Sequence, residues 1–263
     1  MLDQSNLKME TTKIDIFIPV RLGNTRLPSK ALKIFNNKPL LFYLLQRLKK
    51  TKKIRNIVVC TTENPSDDLL VDFLTKNNYD VFRGSEKDIL KRFFDASKQF
   101  KSDFIINVDG DDIYTDPNYI EKLIDKFEET NADFVDMEGF PFGFRSIGFT
   151  KTALEKICTL KTTENTETGY RDFFVNNTSI IKQKLIYKNP FPKNLRFSLD
   201  YPQDFELAKI VFNKLGNDFH LEDLINLFNK EPELLKITDG LDELWNKHYT
   251  KNLASFSFKP HSE

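Results

Sequence analysis

Short apolar runs and longer amphipathic stretches alternate along most of the chain. The first apolar run, IDIFIPV, is followed by PLLFYLLQRLKKT, in which leucines recur at helical spacing at Leu41, Leu44, Leu45 and Leu48. This pattern predicts a buried strand and then an amphipathic helix. The same succession returns when NIVVCTT, DVFRG and FIINVDG are each followed by a helical pattern.

The later sequence continues this order, with one interruption. DFVDMEG predicts a strand and TKTALEKIC a short helix, while NLRFSLD predicts a further strand before the helical patterns YPQDFELAKIVFNKLG and HLEDLINLFNKEPELL. The polar stretch TLKTTENTETGYRDFFVNN breaks the alternation, so residues 158–188 are expected to leave the sheet as a flap or a dimer contact. We predict an α/β fold with a mostly parallel sheet and helices on both faces. One domain is expected over residues 13–250, with polar tails at 1–12 and 251–263.

Composition limits the classes of partner. The chain has 263 residues, with 39 Lys and Arg against 39 Asp and Glu, so no overall charge favours a nucleic acid or an anionic membrane. No apolar run approaches the roughly 18 residues of a membrane span, and the first residues lack the apolar core of a signal peptide. We therefore expect a cytoplasmic protein whose cationic sites are local and which binds neither nucleic acid nor membrane.

A cationic loop, RLGNTRLPSK, follows the first strand. Ligands of open parallel sheets bind beyond the carboxyl ends of the strands, where this loop is expected to lie. Gly23 would let the backbone approach a phosphate, and Arg21, Arg26 and Lys30 would neutralise its charge. The loop is not a G-x-x-x-x-G-K-[ST] motif, because no second glycine precedes Lys30. A solvated basic turn is the alternative.

Carboxylates follow two of the predicted strands. NVDGDDIYTDP places Asp109, Asp111 and Asp112 where an apolar strand stops, and SLD places Asp200 at the end of another. Carboxylates at strand ends commonly hold Mg²⁺, and acids clustered beside a cationic loop suit a metal ion bound together with a triphosphate. The alternative for residues 109–112 is an acidic surface turn.

These segments resemble the bacterial cytidylyltransferases. RLGNTRLPSK is similar to their R-x-G-S-T-R-L-P-x-K signature, with Asn24 in place of the usual Ser. KPLLFYLLQRLKK, IVVCTTENPSDDLL, DVFRGSEKDILKRF and NLRFSLDYPQDFELA resemble further family segments, in family order over residues 14–208. The group contains 3-deoxy-manno-octulosonate cytidylyltransferase and the spore-coat polysaccharide synthesis protein F homologues, which are CMP-sugar synthetases.

The resemblance implies a single Rossmann-like nucleotidyltransferase domain. It implies transfer of CMP from CTP to an acidic sugar or another phosphate- or carboxylate-bearing acceptor, with release of pyrophosphate. Mg²⁺ as cofactor, a homodimer, and a role in capsule, lipopolysaccharide or other surface polysaccharide biosynthesis are further implications.

Site residues carried over from the family fall into three groups. The catalytic residues implied are Arg26, Lys30, Asp111 and Asp200, with Asp111 and Asp200 as the metal ligands. The nucleotide-binding residues implied are Arg21, Leu22, Gly23, Asn24, Arg26, Lys30, Arg83, Ser85 and Asp109. Asp109 stands where relatives often have Gln or Thr, and it is one candidate base if the acceptor is a hydroxyl.

Acceptor contacts are less sharply indicated. Arg145, Tyr170, Arg171 and Arg196 could grip a carboxylate or phosphate on the acceptor, or could be ordinary surface or dimer-contact residues. The three histidines, His220, His248 and His261, lie outside every motif, and no catalytic role is expected for them.

Two alternative functions stay open at this point. One is an enzyme of the same fold that joins another nucleotide, such as GTP or dTTP, to a sugar 1-phosphate. The other is a catalytically silent nucleotide-binding homologue. Intact Arg26, Lys30, Asp111 and Asp200 argue against the silent homologue.

Overall fold

A seven-stranded sheet forms the centre of the protein. The computed structural model describes residues 11–23, 25–253 and 258. The strands in this part of the chain are β1 (Ile14–Pro19), β2 (Ile34–Phe35), β3 (Lys38–Pro39), β4 (Asn56–Thr62), β5 (Asp80–Gly84), β6 (Phe104–Asn107), β7 (Phe134–Glu138), β8 (Ile147–Thr150) and β9 (Lys182–Ile186). The helices are α1 (Leu40–Leu48), α2 (Asp68–Lys76), α3 (Ile89–Phe100), α4 (Pro117–Thr130), α5 (Lys151–Leu160), α6 (Tyr170–Val175), α7 (Pro202–Leu215), α8 (Leu221–Lys230) and α9 (Leu241–Asn252).

The sheet is mostly parallel, as predicted. Its strand order is β5-β4-β1-β6-β8-β7-β9, while β2 and β3 form a separate two-stranded hairpin. Phe17 of β1 lies between Val58 of β4 and Asn107 of β6, both in parallel register. Only β8 runs against its neighbours in the large sheet, because it pairs antiparallel with both β6 and β7. The carboxyl ends of β1, β4 and β6 therefore meet at one edge of the sheet.

Helices cover both faces, which confirms the predicted architecture. Ile14, Ile16 and Ile18 of β1 point to one face, where α1, α4, α7 and α8 pack. Phe17 points to the other face, against α3, α5 and α6. Alternating burial of this kind is expected for a strand that is covered on both sides. Among the described residues, no helix is both long and apolar enough to cross a bilayer.

Some predicted elements need correction. NLRFSLD is not a strand: it makes one isolated parallel pairing, between Arg196 and Phe142. The sheet position beside β7 is instead taken by β9, which lies inside the 158–188 segment expected to leave the sheet. Strand β9 was not predicted because it has no apolar run. It is a solvated edge strand in which Lys182 and Lys184 are exposed.

The chain end also differs from the expected polar tail. Helix α9 was not predicted, and it runs past the expected domain boundary at 250 to Asn252. Phe258 pairs with Lys161 in an isolated antiparallel bridge. Only Leu241 of α9 is buried, so its apolar pattern is too weak to predict a helix.

Arg47 joins α1 to two loops near the sheet edge. This side chain is 1% exposed, and it donates hydrogen bonds to the carbonyl oxygens of Tyr114, Thr115, Asn217 and Phe219 at 2.7–3.3 Å. Burial lowers the pKa of Arg47 to about 10, which leaves it charged at neutral pH. Arg47 thus fixes the chain just after the acidic segment 109–112.

Replacing Arg47 should destabilise the protein strongly. Arg47→Met would leave three buried and one half-buried carbonyl oxygen without this donor, so we expect the free energy of unfolding to fall by about 3 kcal/mol or more. Urea denaturation followed by circular dichroism measures this value. Lys50→Met is the matched control, because exposed Lys50 forms an ion pair with exposed Asp218, and it should change little. Equal stabilities of the two variants would contradict this role of Arg47.

Candidate active site

A cavity of about 620 Å³ opens beyond the carboxyl ends of β1 and β6. Its walls come from the loop after β1, the start of α3, the loop after β6, the 165–170 segment, Asp200 and one face of α9. Six segments that are separate in the sequence thus meet at one edge of the sheet. Such an edge is the usual ligand site of open parallel sheets.

The cationic loop is anchored by two local features. The Leu22 amide donates to Asp67 Oδ1 at 2.7 Å, and the Leu22 and Leu27 side chains are buried. Ser29 has φ 51°, in the left-handed region, and turns the chain into a short 3₁₀ helix at Lys30–Leu32. Lys30 is thereby aimed at the cavity, whereas Gly23 is exposed at its mouth. Asn24 lies outside the described residues.

Lys30 and Arg26 meet Asp111 and Asp200 in one cluster. Lys30 Nζ binds Asp111 Oδ2 and lies 3.5 Å from Asp200 Oδ1. Arg26 donates to the same Asp200 oxygen at 2.6 Å. Arg26 Nη1 is buried and has no hydrogen-bond partner among the described residues. The cavity wall therefore contains a buried cationic donor that no described residue satisfies.

The electrostatics of this cluster favour the charged forms of Lys30 and Asp200. Burial alone would lower the pKa of Lys30, but Asp111 and Asp200 outweigh it and raise that pKa. Burial would raise the pKa of Asp200, but Lys30 and Arg26 outweigh it and lower that pKa. Each charge is retained in the interior because its partners offset the cost of desolvation.

Asp200 is held from behind by Arg196. The Arg196 side chain is 1% exposed, and Nη2 donates to Asp200 Oδ2 at 2.9 Å. The Ser198 hydroxyl donates to the same oxygen at 2.7 Å. Arg196 also pairs with Asp204 at the start of α7 and with Asp242 at the start of α9. Arg196 is therefore a positioning residue for Asp200, and it does not line the cavity.

Two further carboxyls crowd the end of β6. Burial, followed by the Asp111 charge, raises the pKa of Asp109 to about 6. Burial and Asp111 also raise the pKa of Asp112 well above its usual range. The Tyr170 hydroxyl lies 2.6 Å from both Asp109 Oδ1 and Asn107 Oδ1. Asp109 and Asp112 therefore hold their protons more tightly than exposed aspartates do.

These carboxylates are chemically suited to Mg²⁺. Asp111 and Asp200 supply hard oxygen donors that already converge on one cation, the Lys30 ammonium. Within the described chain, no three His, Cys, Asp or Glu side chains form a complete metal cage. Mg²⁺ is usually held by one or two carboxylates together with phosphate oxygens and water. The donor set therefore fits an ion that is bound jointly with a triphosphate.

Several predicted contacts lie away from the cavity. The Arg83 guanidinium donates to the carbonyl oxygens of Thr62 and Asn64 at 2.9 and 3.0 Å, and pairs with Asp68. The Ser85 hydroxyl accepts from the Asp88 amide at 3.1 Å. Both residues shape the loops after β4 and β5, and neither lines the cavity.

The four acceptor candidates are also separated by the fold. Arg171 and Arg145 both pair with Asp136 on β7, outside the cavity lining. Arg196 is buried behind Asp200, so Tyr170 is the one member of the set that lines the cavity. The three arginines thus bind groups of the protein itself. Arg145 and Arg171 pair with Asp136, and Arg196 pairs with Asp200.

Other cavity residues were missed in the sequence. Arg92, 1% exposed, binds Glu167, whose carboxylate also lies 3.5 Å from Arg21 Nε. Arg92 is the penultimate residue of the DVFRGSEKDILKRF segment, and its place in that segment was the available signal. His248, for which no catalytic role was expected, is placed at the cavity wall by α9. His220 is instead the N-cap residue of α8, and His261 lies outside the described residues.

Comparison with known proteins defines the class of enzyme. The cytidylyltransferase family profile matches residues 16–209, which include the cationic loop, the acidic segment and Asp200. The chain belongs to this family, and it is a CTP-dependent nucleotidyltransferase.

Particular relatives span nearly the whole chain. A cytidylyltransferase structure from Leptospira borgpetersenii is 29% identical with a TM-score of 0.79, covering 86% of this chain and 97% of that one. The spore coat polysaccharide biosynthesis protein SpsF of Bacillus subtilis is 26% identical over 225 residues, which are 82% of this chain and 94% of SpsF. An uncharacterized protein of Methanocaldococcus jannaschii is 30% identical over 234 residues, covering 87% of this chain and 96% of its own length.

The raised pKa of Asp109 predicts a pH-dependent stability. The folded state holds this proton more tightly than the unfolded state, so the free energy of unfolding should fall as pH rises from about 4 to about 6. Relative to Asp109→Asn, the wild-type protein should lose about 2 kcal/mol over this range in metal-free buffer. Urea denaturation at several pH values measures the difference. Asp72→Asn, an exposed aspartate of α2, is the control. Parallel curves for wild type and Asp109→Asn would contradict the assignment.

Proposed function

We propose that the protein transfers CMP from CTP to an acidic sugar, or to another acceptor bearing a phosphate or carboxylate, and releases pyrophosphate. One observation carries the proposal: Arg26 and Lys30 converge on Asp111 and Asp200 at the sheet edge, and no described residue accepts a hydrogen bond from the buried Arg26 Nη1. These four residues lie within the part of the chain that matches the cytidylyltransferase family. The name of the Bacillus relative supports a role in surface polysaccharide biosynthesis.

The cationic loop would bind the triphosphate. Lys30 and Arg26 are now neutralised by carboxylates, and phosphate oxygens would take over as their partners. Asp111 and Asp200 would then hold Mg²⁺, which when bound neutralises the triphosphate and polarises the phosphoryl group. Exchange of partners in this way keeps every buried charge paired in both states.

The reaction needs one bond to form and one to break. An acceptor oxygen attacks the α-phosphorus in line, and the bond to the bridging oxygen of the β-phosphate breaks, so that the electron pair leaves with pyrophosphate. Lys30 and Arg26 would stabilise the charge that develops on the departing pyrophosphate.

The acceptor group decides whether a base takes part. A phosphate or carboxylate oxygen carries no proton to be removed at neutral pH. A hydroxyl would need a base, and Asp109, with its pKa raised to about 6 by burial, is suited to that role near neutral pH. Tyr170 holds Asp109 at the cavity wall through the 2.6 Å contact with its hydroxyl.

Pyrophosphate release tests the proposal directly. The protein with Mg²⁺ would be given each of CTP, UTP, GTP, ATP and dTTP, together with a panel of acidic sugars and sugar phosphates. We expect release with CTP and one acceptor, reduced at least 100-fold in Asp111→Asn and in Asp200→Asn. Asp72→Asn is the control. It changes an exposed side chain of α2 and should retain wild-type turnover.

Two outcomes would contradict the proposal. Faster turnover with another nucleotide would keep the site but overturn the choice of CTP as the donor. Undiminished release in both aspartate variants would show that this carboxylate pair is not the reaction centre.

A further inference from the structure

One face of α9 forms a wall of the active-site cavity. Trp245, His248, Tyr249 and Asn252 all line the cavity, and their spacing of three and four residues puts them on one side of the helix. No Arg or Lys of α9 is among the lining residues, so this wall is unsuited to a triphosphate. It combines two large aromatic rings with an imidazole and an amide, which can both donate and accept hydrogen bonds.

The aromatic part of this wall is ordered by packing. The Trp245 and Tyr249 rings are stacked, with centroids 4.7 Å apart and planes at 17°. Trp245 also meets Phe142 edge to face at 4.7 Å. Both rings are only half-buried, so part of their apolar surface is left for a ligand.

Contacts at both ends fix α9 over the cavity. At its start, Asp242 accepts from buried Arg196 at 2.9 Å, and Arg196 in turn holds Asp200. At its end, a β-carbon on Gly169, which has φ 84°, would stand 2.4 Å from Leu253 Cδ1. The wall is therefore tied through one arginine to the proposed catalytic carboxylate.

His248 brings the wall next to the proposed reaction centre. Partial burial and the Arg26 charge lower the pKa of the His248 imidazole, and they outweigh the opposite effect of Asp200. A neutral imidazole is thus favoured at pH 7. It can donate a hydrogen bond from one nitrogen and accept at the other.

We propose that this face of α9 binds the sugar ring of the acceptor, with Trp245 as its main contact. Trp245 and Tyr249 would pack on the apolar face of the ring, and His248 and Asn252 would bind its hydroxyl groups. The inference rests on the proposed function, since it assigns the nucleotide to the opposite, cationic wall. Binding of the sugar is favoured over binding of the nucleoside, because α9 lies beyond residues 16–209, the part that matches the cytidylyltransferase family.

Trp245 provides the readout, because it is the single tryptophan of the chain. Its emission would be recorded first with CTP and Mg²⁺, and then during titration with 3-deoxy-manno-octulosonate, N-acetylneuraminate, glucuronate and glucose 1-phosphate. Calorimetry would follow CTP binding independently. We expect a change in emission when a sugar is added to the CTP-bound protein, and a smaller change with CTP alone.

Kinetics of variants complete the test. For the sugar that supports turnover, Trp245→Ala should raise KM at least tenfold and leave KM for CTP within twofold, whereas Trp245→Phe should retain most of the affinity. Leu244→Ala is the matched control, because Leu244 is the preceding residue, is 51% exposed and does not line the cavity. It should leave both KM values unchanged.

The contrary outcomes separate this inference from the proposed function. Suppose that a sugar supports turnover but does not change the Trp245 emission, and that its KM is the same in wild type and in Trp245→Ala. This result would overturn the inference and leave the proposed function intact. A raised KM for CTP in Trp245→Ala would overturn it in favour of a nucleoside contact. No emission change with any sugar would also overturn it. Absence of CTP binding would remove the proposed function, and the inference with it.

Discussion

The burial of several carboxylates at one edge of a parallel sheet is the constraint on which the site depends. Asp111 and Asp200 would be costly to desolvate alone, and each is paired with a cation that comes from a distant part of the sequence. Lys30 is 81 residues from Asp111 and 170 from Asp200, so these pairs form only when the loop after β1 meets the ends of two other segments. The same charges that hold the fold together here are the ones that a triphosphate and its metal ion would use.

This constraint explains why Arg196 is central without touching the cavity. Its guanidinium binds Asp200, Asp204 and Asp242, and so joins the site to the starts of α7 and α9. A helix outside the segment shared with the family is thereby tied to a shared carboxylate. Any displacement of α9 would therefore be felt at Asp200 through the Arg196 guanidinium.

Much of the fold could be predicted because apolar periodicity reports burial directly. Strands such as β1 and helices such as α3 carry continuous apolar faces, whereas β9 and α9 are solvated and gave no such signal. The cationic loop and the acidic segment were also visible, since both directly follow apolar strands. The sequence could not show which groups each arginine would bind. Arg83 donates hydrogen bonds to backbone carbonyls, and Arg196 pairs with carboxylates. Such choices depend on contacts between residues far apart in the chain.

The central claim is that Asp111 changes partner, from Lys30 in the free enzyme to a metal ion in the nucleotide complex. Calorimetric titration of wild type and Asp111→Asn with CTP, in EDTA and in Mg²⁺, tests it most directly. Without metal, the variant should bind CTP more tightly than wild type, because a repelling carboxylate is gone and Lys30 is released. With Mg²⁺, the order should reverse, and wild type should bind more tightly. The same order of affinity under both conditions would contradict the account.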